Sequence, residues 1–308
     1  MIFLVVLGHI GFKDYGLQIQ KVIYSFHMPV FVFLSGFLSP RKIDCKRQKI
    51  WLLQNLLIYA GTQAAYILLT CYGCDFSWDM LIVPAPALWY FVSLIFWRLF
   101  LWYSFKGISD VVLLLAALLL ALACGFIPLD REFSFQRTFA FLPFFITGVI
   151  FRKRKLMLWL NKLPLWVAIL VLLAGLMVAH ALPWNYQPKF HYVCLGDMFI
   201  RLIQTFLAFA LCLSVVRLIH PMGISFAKKN SALQILPFLG RYTLWVYIGH
   251  LFLNLLNAYV VILIQRIIPE FSLDILSAVI LAVLYCAICT VVGMICKKLF
   301  RKVAPNRY

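Results

Sequence analysis

At 308 residues, 65% of them hydrophobic and only 12% charged, with a mean hydropathy of +0.97, the chain carries more apolar side chain than a soluble domain can bury. This composition excludes a water-soluble enzyme and points to an integral membrane protein. The net charge of +18 would suggest nucleic acid in a soluble chain, but here the basic residues follow membrane orientation and no nucleic-acid partner is expected.

A hydrocarbon core about 30 Å thick takes roughly 20 apolar residues per helix. Apolar runs bounded by charge or turn residues fall at 1-12, 22-39, 50-70, 80-103, 111-128, 138-151, 165-182, 198-219, 241-264 and 275-296. None alternates as a barrel strand does, so helices are the way left to satisfy the backbone in lipid. The expected fold is all-α: a polytopic membrane helix bundle of about ten transmembrane helices, forming a single integral-membrane domain over residues 1-308. The first run, MIFLVVLGHIGF, reaches only about 18 Å at about 1.5 Å per residue. It is short for a crossing, and a basic stretch preceding it is expected.

Charge then orients the spans. The loops after the second, fourth, sixth, eighth and tenth runs hold 20 of the 28 basic residues, among them Arg41, Lys42, Lys46, Arg47, Lys49, Lys106 and Arg152 to Lys155. Acidic residues such as Asp14, Asp75, Asp79, Asp130, Glu132, Asp197, Glu270 and Asp274 mark the opposite side. The positive-inside rule places the basic set and both termini in the cytoplasm, as for a multi-pass protein of the cell membrane.

Ionisable groups inside the spans are the first candidates for chemistry, because lipid makes them expensive to keep. In chain order, His9 lies near the outward end of the first run and His27 near the outward start of the second. Both sit roughly 6 to 8 Å inside the same rim, and a short loop joins their helices. His250, nine residues after Arg241, lies about 13 Å from the cytoplasmic edge, where it approaches the same interior. For each, a structural imidazole hydrogen-bonded between helices is the competing assignment.

The other candidates divide similarly. RKIDCKRQK, with Lys46, Arg47 and Lys49, serves as a topological anchor at anionic membrane lipids or as a binder of a phosphorylated cytoplasmic cofactor. Trp89, in the aromatic run Ala87 to Tyr103, belongs to an interfacial belt or stacks on a sugar ring. Arg98 is expected to snorkel towards the cytoplasmic interface, Arg201 to pair with Asp197 or meet substrate, and Arg137 is ambiguous in the same way. Cys71 and Cys74 form a C-x-x-C in an outward loop, a weak metal signal; Cys286 and Cys289 repeat the spacing inside an apolar helix, where Cys behaves as a small hydrophobe, and nothing in the sequence calls for a metal.

Four blocks carry a family resemblance: VVLGHI (Val5 to Ile10), YSFHMPVFVFLSGFL (Tyr24 to Leu38), ALWYFVSLIFWR (Ala87 to Arg98), and RTFAFLPFFITG (Arg137 to Gly148) with LGRYTLWVYIGH (Leu239 to His250). In order and spacing they resemble the acyltransferase 3 family of integral-membrane O-acyltransferases, especially its fucose 4-O-acetylase-like branch. The family's first-helix signature places Arg or Lys eleven positions before a histidine. His9 matches the histidine, and the basic partner would fall before Met1.

The resemblance implies transfer of an acetyl group from acetyl-CoA to a hydroxyl of a cell-surface or lipid-linked sugar in the bacterial inner membrane. It makes His9 and His27 the candidate catalytic residues and Lys46, Arg47 and Lys49 the candidate acyl-CoA contacts. Arg137, Trp89 and His250 are the candidates for the sugar or glycan acceptor. A multi-pass transporter or flippase for a lipid-linked saccharide is the alternative; paired broken helices would favour it, and no such symmetry is found in the sequence.

Overall fold

Proline and charged residues punctuate the apolar chain into helices. The computed structural model describes residues 1–10, 15–39, 44–71, 77–104, 108–181, 190–229, 240–268 and 275–303, with backbone alone at 15–19, 104, 220–229, 275–276 and 299–303. In order the helices are α1 (Ile2–His9), α2 (Tyr15–Leu38), α3 (Cys45–Thr70), α4 (Asp79–Ile82), α5 (Trp89–Ser104), α6 (Asp110–Ala123), α7 (Phe135–Arg154), α8 (Met157–Leu160), α9 (Leu165–Ala181), α10 (Leu195–Lys229), α11 (Thr243–Ile267) and α12 (Ile275–Val303). Among the described residues there is no strand.

Six described stretches are helical, long and apolar enough to cross a membrane: Gln20–Leu38, Cys45–Thr70, Glu132–Arg154, Leu195–Ile219, Thr243–Ile267 and Ser277–Lys298. Asp110–Phe126 and Leu165–Ala181 are apolar but shorter. The protein is therefore an all-helical, multi-pass membrane protein. Arg41, Lys42, Lys106, Cys74, Asp14, Asp75, Glu270 and Asp274 lie outside the described residues.

The expected span 80-103 divides in two. Its start, VPAPAL, holds Pro84 and Pro86, which lack the amide a helix needs and bias their predecessors away from helical backbone. Helix resumes only at Trp89. Gln63 of α3 compensates for the break: its Nε2 donates to the Met80 and Val83 carbonyls at 2.8 and 3.2 Å, and its Oε1 accepts from the Ala85 amide at 2.9 Å. Non-helical backbone in an apolar setting persists where such a partner supplies its bonds.

The chain packs as two compact units, Met1–His27 with Leu218–Tyr308, and Met28–Arg217. In the first, α1 lies against α11 and α12 through Val6, Leu7, Ile10, Val246, Ala282 and Cys286. Small side chains let α11 and α12 approach closely, and a Cβ on Gly249 would overlap the Cys289 thiol.

In the second unit α2, over residues 28–38, and α7 approach closely. A Cβ on Gly36 would overlap the Phe145 carbonyl, and one on Gly148 the Phe33 carbonyl, so the two backbones meet through reciprocal glycines. Polar pairs join the rest. Ser93 and Thr138 hydroxyls lie 2.7 Å apart and Trp97 donates to the Thr138 carbonyl at 2.8 Å, tying α5 to α7. Lys153 and Arg154 both reach Asp110 at the start of α6, and Arg152 donates to the Leu38 carbonyl at the end of α2.

Candidate active site

The histidines that the sequence singles out all fall in the first unit. His9 is the last helical residue of α1, after which Ile10 turns to extended backbone. His250 sits in the second turn of α11, one face of which packs on α1. This brings the His9 and His250 rings to 5.4 Å between centroids, tilted by 45°. His250 is 1% exposed, whereas His9 is partly exposed, so the pair has one sealed and one accessible member.

α2 supplies the rest of the cluster. Tyr24 and His27, three residues apart on one helical face, place their rings 5.0 Å apart, and the Tyr24 ring lies 6.4 Å from that of His9 at 69°. The rings thus run His250, His9, Tyr24, His27. Tyr247 adds an edge-on contact to His250 at 5.8 Å.

Backbone contacts set the tautomers of the two buried histidines. His27 Nδ1 lies 2.7 Å from the Ile23 carbonyl, and His250 Nδ1 lies 3.1 Å from that of Val246. A carbonyl only accepts, so in both rings Nδ1 carries the proton. Nε2 then holds the lone pair of the neutral ring. Such a ring receives or donates a proton at one defined atom, which is what an acid–base group requires.

The remaining candidates belong to the second unit. Lys46, Arg47 and Lys49 lie exposed in the first turns of α3, while Gln48 between them is buried. Their charges face outward as a group, a geometry suited to phosphate or to lipid headgroups. The Arg137 guanidinium lies 5.1 Å over the Trp89 ring, whose stacked neighbour is Phe141 at 5.4 Å. Trp89 is 6% exposed, so it holds Arg137 more readily than it offers a bare face to a sugar.

Two arginines are more deeply held than their sequence positions suggest. Arg98 is 7% exposed, with its guanidinium 4.6 Å over the Trp51 ring of α3. Arg201 is 2% exposed and donates to the Ala121 carbonyl, Cys124 Sγ and Gln136 Oε1, each at 3.2 Å, and to the Phe190 carbonyl at 2.8 Å. Asp197 turns instead to the backbone amides of Val193 and Cys194, closing the start of α10. Among the described residues no three His, Cys, Asp or Glu side chains converge on a metal-sized site.

Tyr24 and Gln20 are the members of the cluster that reasoning from histidines alone passes over. Their signal is spacing: Gln20, Tyr24 and His27 fall at i, i+4 and i+7, a polar stripe on a largely apolar helix. No curated protein and no solved structure matches the chain. Residues 1–297 match the acyltransferase domain of the acyltransferase 3 family, and His9, Tyr24, His27 and His250 all lie inside that match. With nearly its whole length covered, the chain belongs to the acyltransferase 3 family.

Proposed function

We propose that the chain is a membrane O-acetyltransferase of the fucose 4-O-acetylase-like branch, moving acetyl from acetyl-CoA to a sugar hydroxyl on a cell-surface or lipid-linked glycan. In this proposal it acts as one domain of about ten transmembrane helices in the cytoplasmic membrane, with both ends cytoplasmic. The observation that carries the proposal is the His9–His250 pair, two imidazoles 5.4 Å apart at the end of α1 in a chain of this family.

The chemistry needs a base, since an alcohol is a weak nucleophile until its proton is taken. His9 accepts that proton as the sugar oxygen attacks the thioester carbonyl. The C–S bond then breaks, the new ester C–O bond remains, and the His9 imidazolium returns its proton to the departing CoA thiolate. His250 sits beside His9, and the lone pair of its neutral ring serves as acceptor to the His9 imidazolium, offsetting the cost of that charge. His27 packs on the Tyr24 ring and orients the cluster.

Lys46, Arg47 and Lys49 are proposed to hold the phosphates of acetyl-CoA, and Arg137, steadied by Trp89, to donate hydrogen bonds to the acceptor. The test is to express the chain in a bacterial host whose surface glycan lacks O-acetyl groups, and to measure base-labile acetyl esters by NMR. A gain of esters with the native chain and none with His9→Ala is expected. No gain, or an equal gain with His9→Ala, would overturn the proposal.

A further inference from the structure

A helix that ends in an apolar setting leaves its last carbonyls without helical donors, and each is costly unless another donor reaches it. α1 ends this way at His9, with Ile10 at φ −73° and ψ 124°. The carbonyl immediately before His9 belongs to Gly8, and two α2 side chains meet it. Gln20 Nε2 and Tyr24 Oη each donate to it at 2.7 Å, and Gln20 Nε2 also lies 3.3 Å from the Tyr24 oxygen.

The two donors are one helical turn apart on α2, so a single helix face delivers both. Glycine permits the approach: a Cβ at Gly8 would stand 3.2 Å from Tyr24 Cε1 and 3.5 Å from Ile23 Cγ2. Behind Tyr24 lies the His27 ring, itself fixed by the Ile23 carbonyl at 2.7 Å. Two side-chain donors thus meet the backbone at the residue next to the candidate base.

We propose that Gln20 and Tyr24 are positioning residues, a two-donor clamp on the Gly8 carbonyl that holds His9 against His250. Its activity arm rests on the acetyl-transfer proposal, and its structural arm does not. Because either donor satisfies the carbonyl, the pair is redundant. Tyr24→Phe, which keeps the ring against His27, and Gln20→Leu each lower kcat about threefold. The double variant lowers it about 30-fold or more, beyond the product of the singles, while KM for acetyl-CoA stays unchanged.

Two measurements on the native chain and these three variants test the clamp. The first is CoA release from acetyl-CoA in membrane vesicles that contain an acceptor glycan. The second is amide hydrogen exchange in detergent, where residues 5–10 of the double variant exchange about tenfold faster and residues 277–298 are unaffected. A double variant with native kcat, a rise in KM in place of a fall in kcat, or exchange that is unchanged or quickened everywhere alike would overturn it. If the native chain moves no acetyl, the acetyl-transfer proposal fails and the exchange result alone decides the clamp.

Discussion

The histidine cluster and the Arg201 site both keep polar side chains within an apolar, helical protein, yet they treat those side chains differently. Around Arg201 the terminal nitrogens of the guanidinium meet two carbonyls, a thiol and an amide oxygen, and the Tyr192 ring lies 4.6 Å from its centre. Around His27 and His250 one ring nitrogen is fixed by a backbone carbonyl, and the other is left with the lone pair. The first pattern holds helices and loops together, while the second leaves one ring nitrogen with its lone pair, as the proposed proton transfer needs. Cost in lipid alone therefore does not mark function. What distinguishes the two is how many of the group's bonding directions the fold uses.

The contrast breaks most visibly if chemistry and stability fail to separate. Replacing His250 by Ala should lower acetyl transfer about 100-fold or more, within the range for general acid–base groups, with a smaller effect on thermal unfolding in detergent. Arg201→Leu should do the opposite. It removes the Arg201 bond to the buried Gln136 oxygen, at about 1–3 kcal/mol for a buried acceptor, together with the bonds to the Ala121 and Phe190 carbonyls, so the unfolding temperature should drop sharply. Activity per folded molecule should stay close to native. A stable Arg201→Leu protein without activity would invert the comparison.

Smaller effects sharpen it. Changing Lys46, Arg47 and Lys49 together to Gln should raise KM for acetyl-CoA about tenfold, worth about 1.4 kcal/mol, with kcat kept and stability unaltered because all three are exposed. The least effect is expected at the Asp130–His191 pair, which is partly exposed. Burial works against the Asp130 charge, but hydrogen bonds from the His191 ring and amide hold its carboxyl below the usual range. The stability it contributes is present above the unfolded-state value of about 3.9 and is lost as pH falls through the lowered folded-state value. His191→Ala should therefore cost under about 1 kcal/mol near neutral pH. Unfolding measured against pH checks both statements.

Much of the fold is legible in the sequence because apolar run length reports directly on helices in a lipid solvent. The runs at 50-70, 165-182 and 241-264 correspond to α3, α9 and α11 within a few residues. The run 80-103 does not survive whole, because hydropathy scores Pro84 and Pro86 as tolerable while the backbone does not. That Gly36 leaves room for a close neighbour follows from its missing side chain, whereas the occupant, the Phe145 carbonyl of α7, depends on a tertiary contact. Likewise the depth of His250 can be counted from Arg241, but its ring contact with His9 requires α1 and α11 to pack together. Tyr24 is hidden for another reason: near the start of the expected run 22-39 an aromatic is ordinary in a membrane protein, and its hydroxyl on Gly8 sets it apart.

The most direct test compares transfer of labelled acetyl from acetyl-CoA to membrane glycan by the native chain and by His9→Ala at equal folded protein. If His9 is the base, kcat falls about 10²- to 10⁴-fold while KM for acetyl-CoA is retained. A His9→Ala protein that transfers acetyl at the native rate would contradict it.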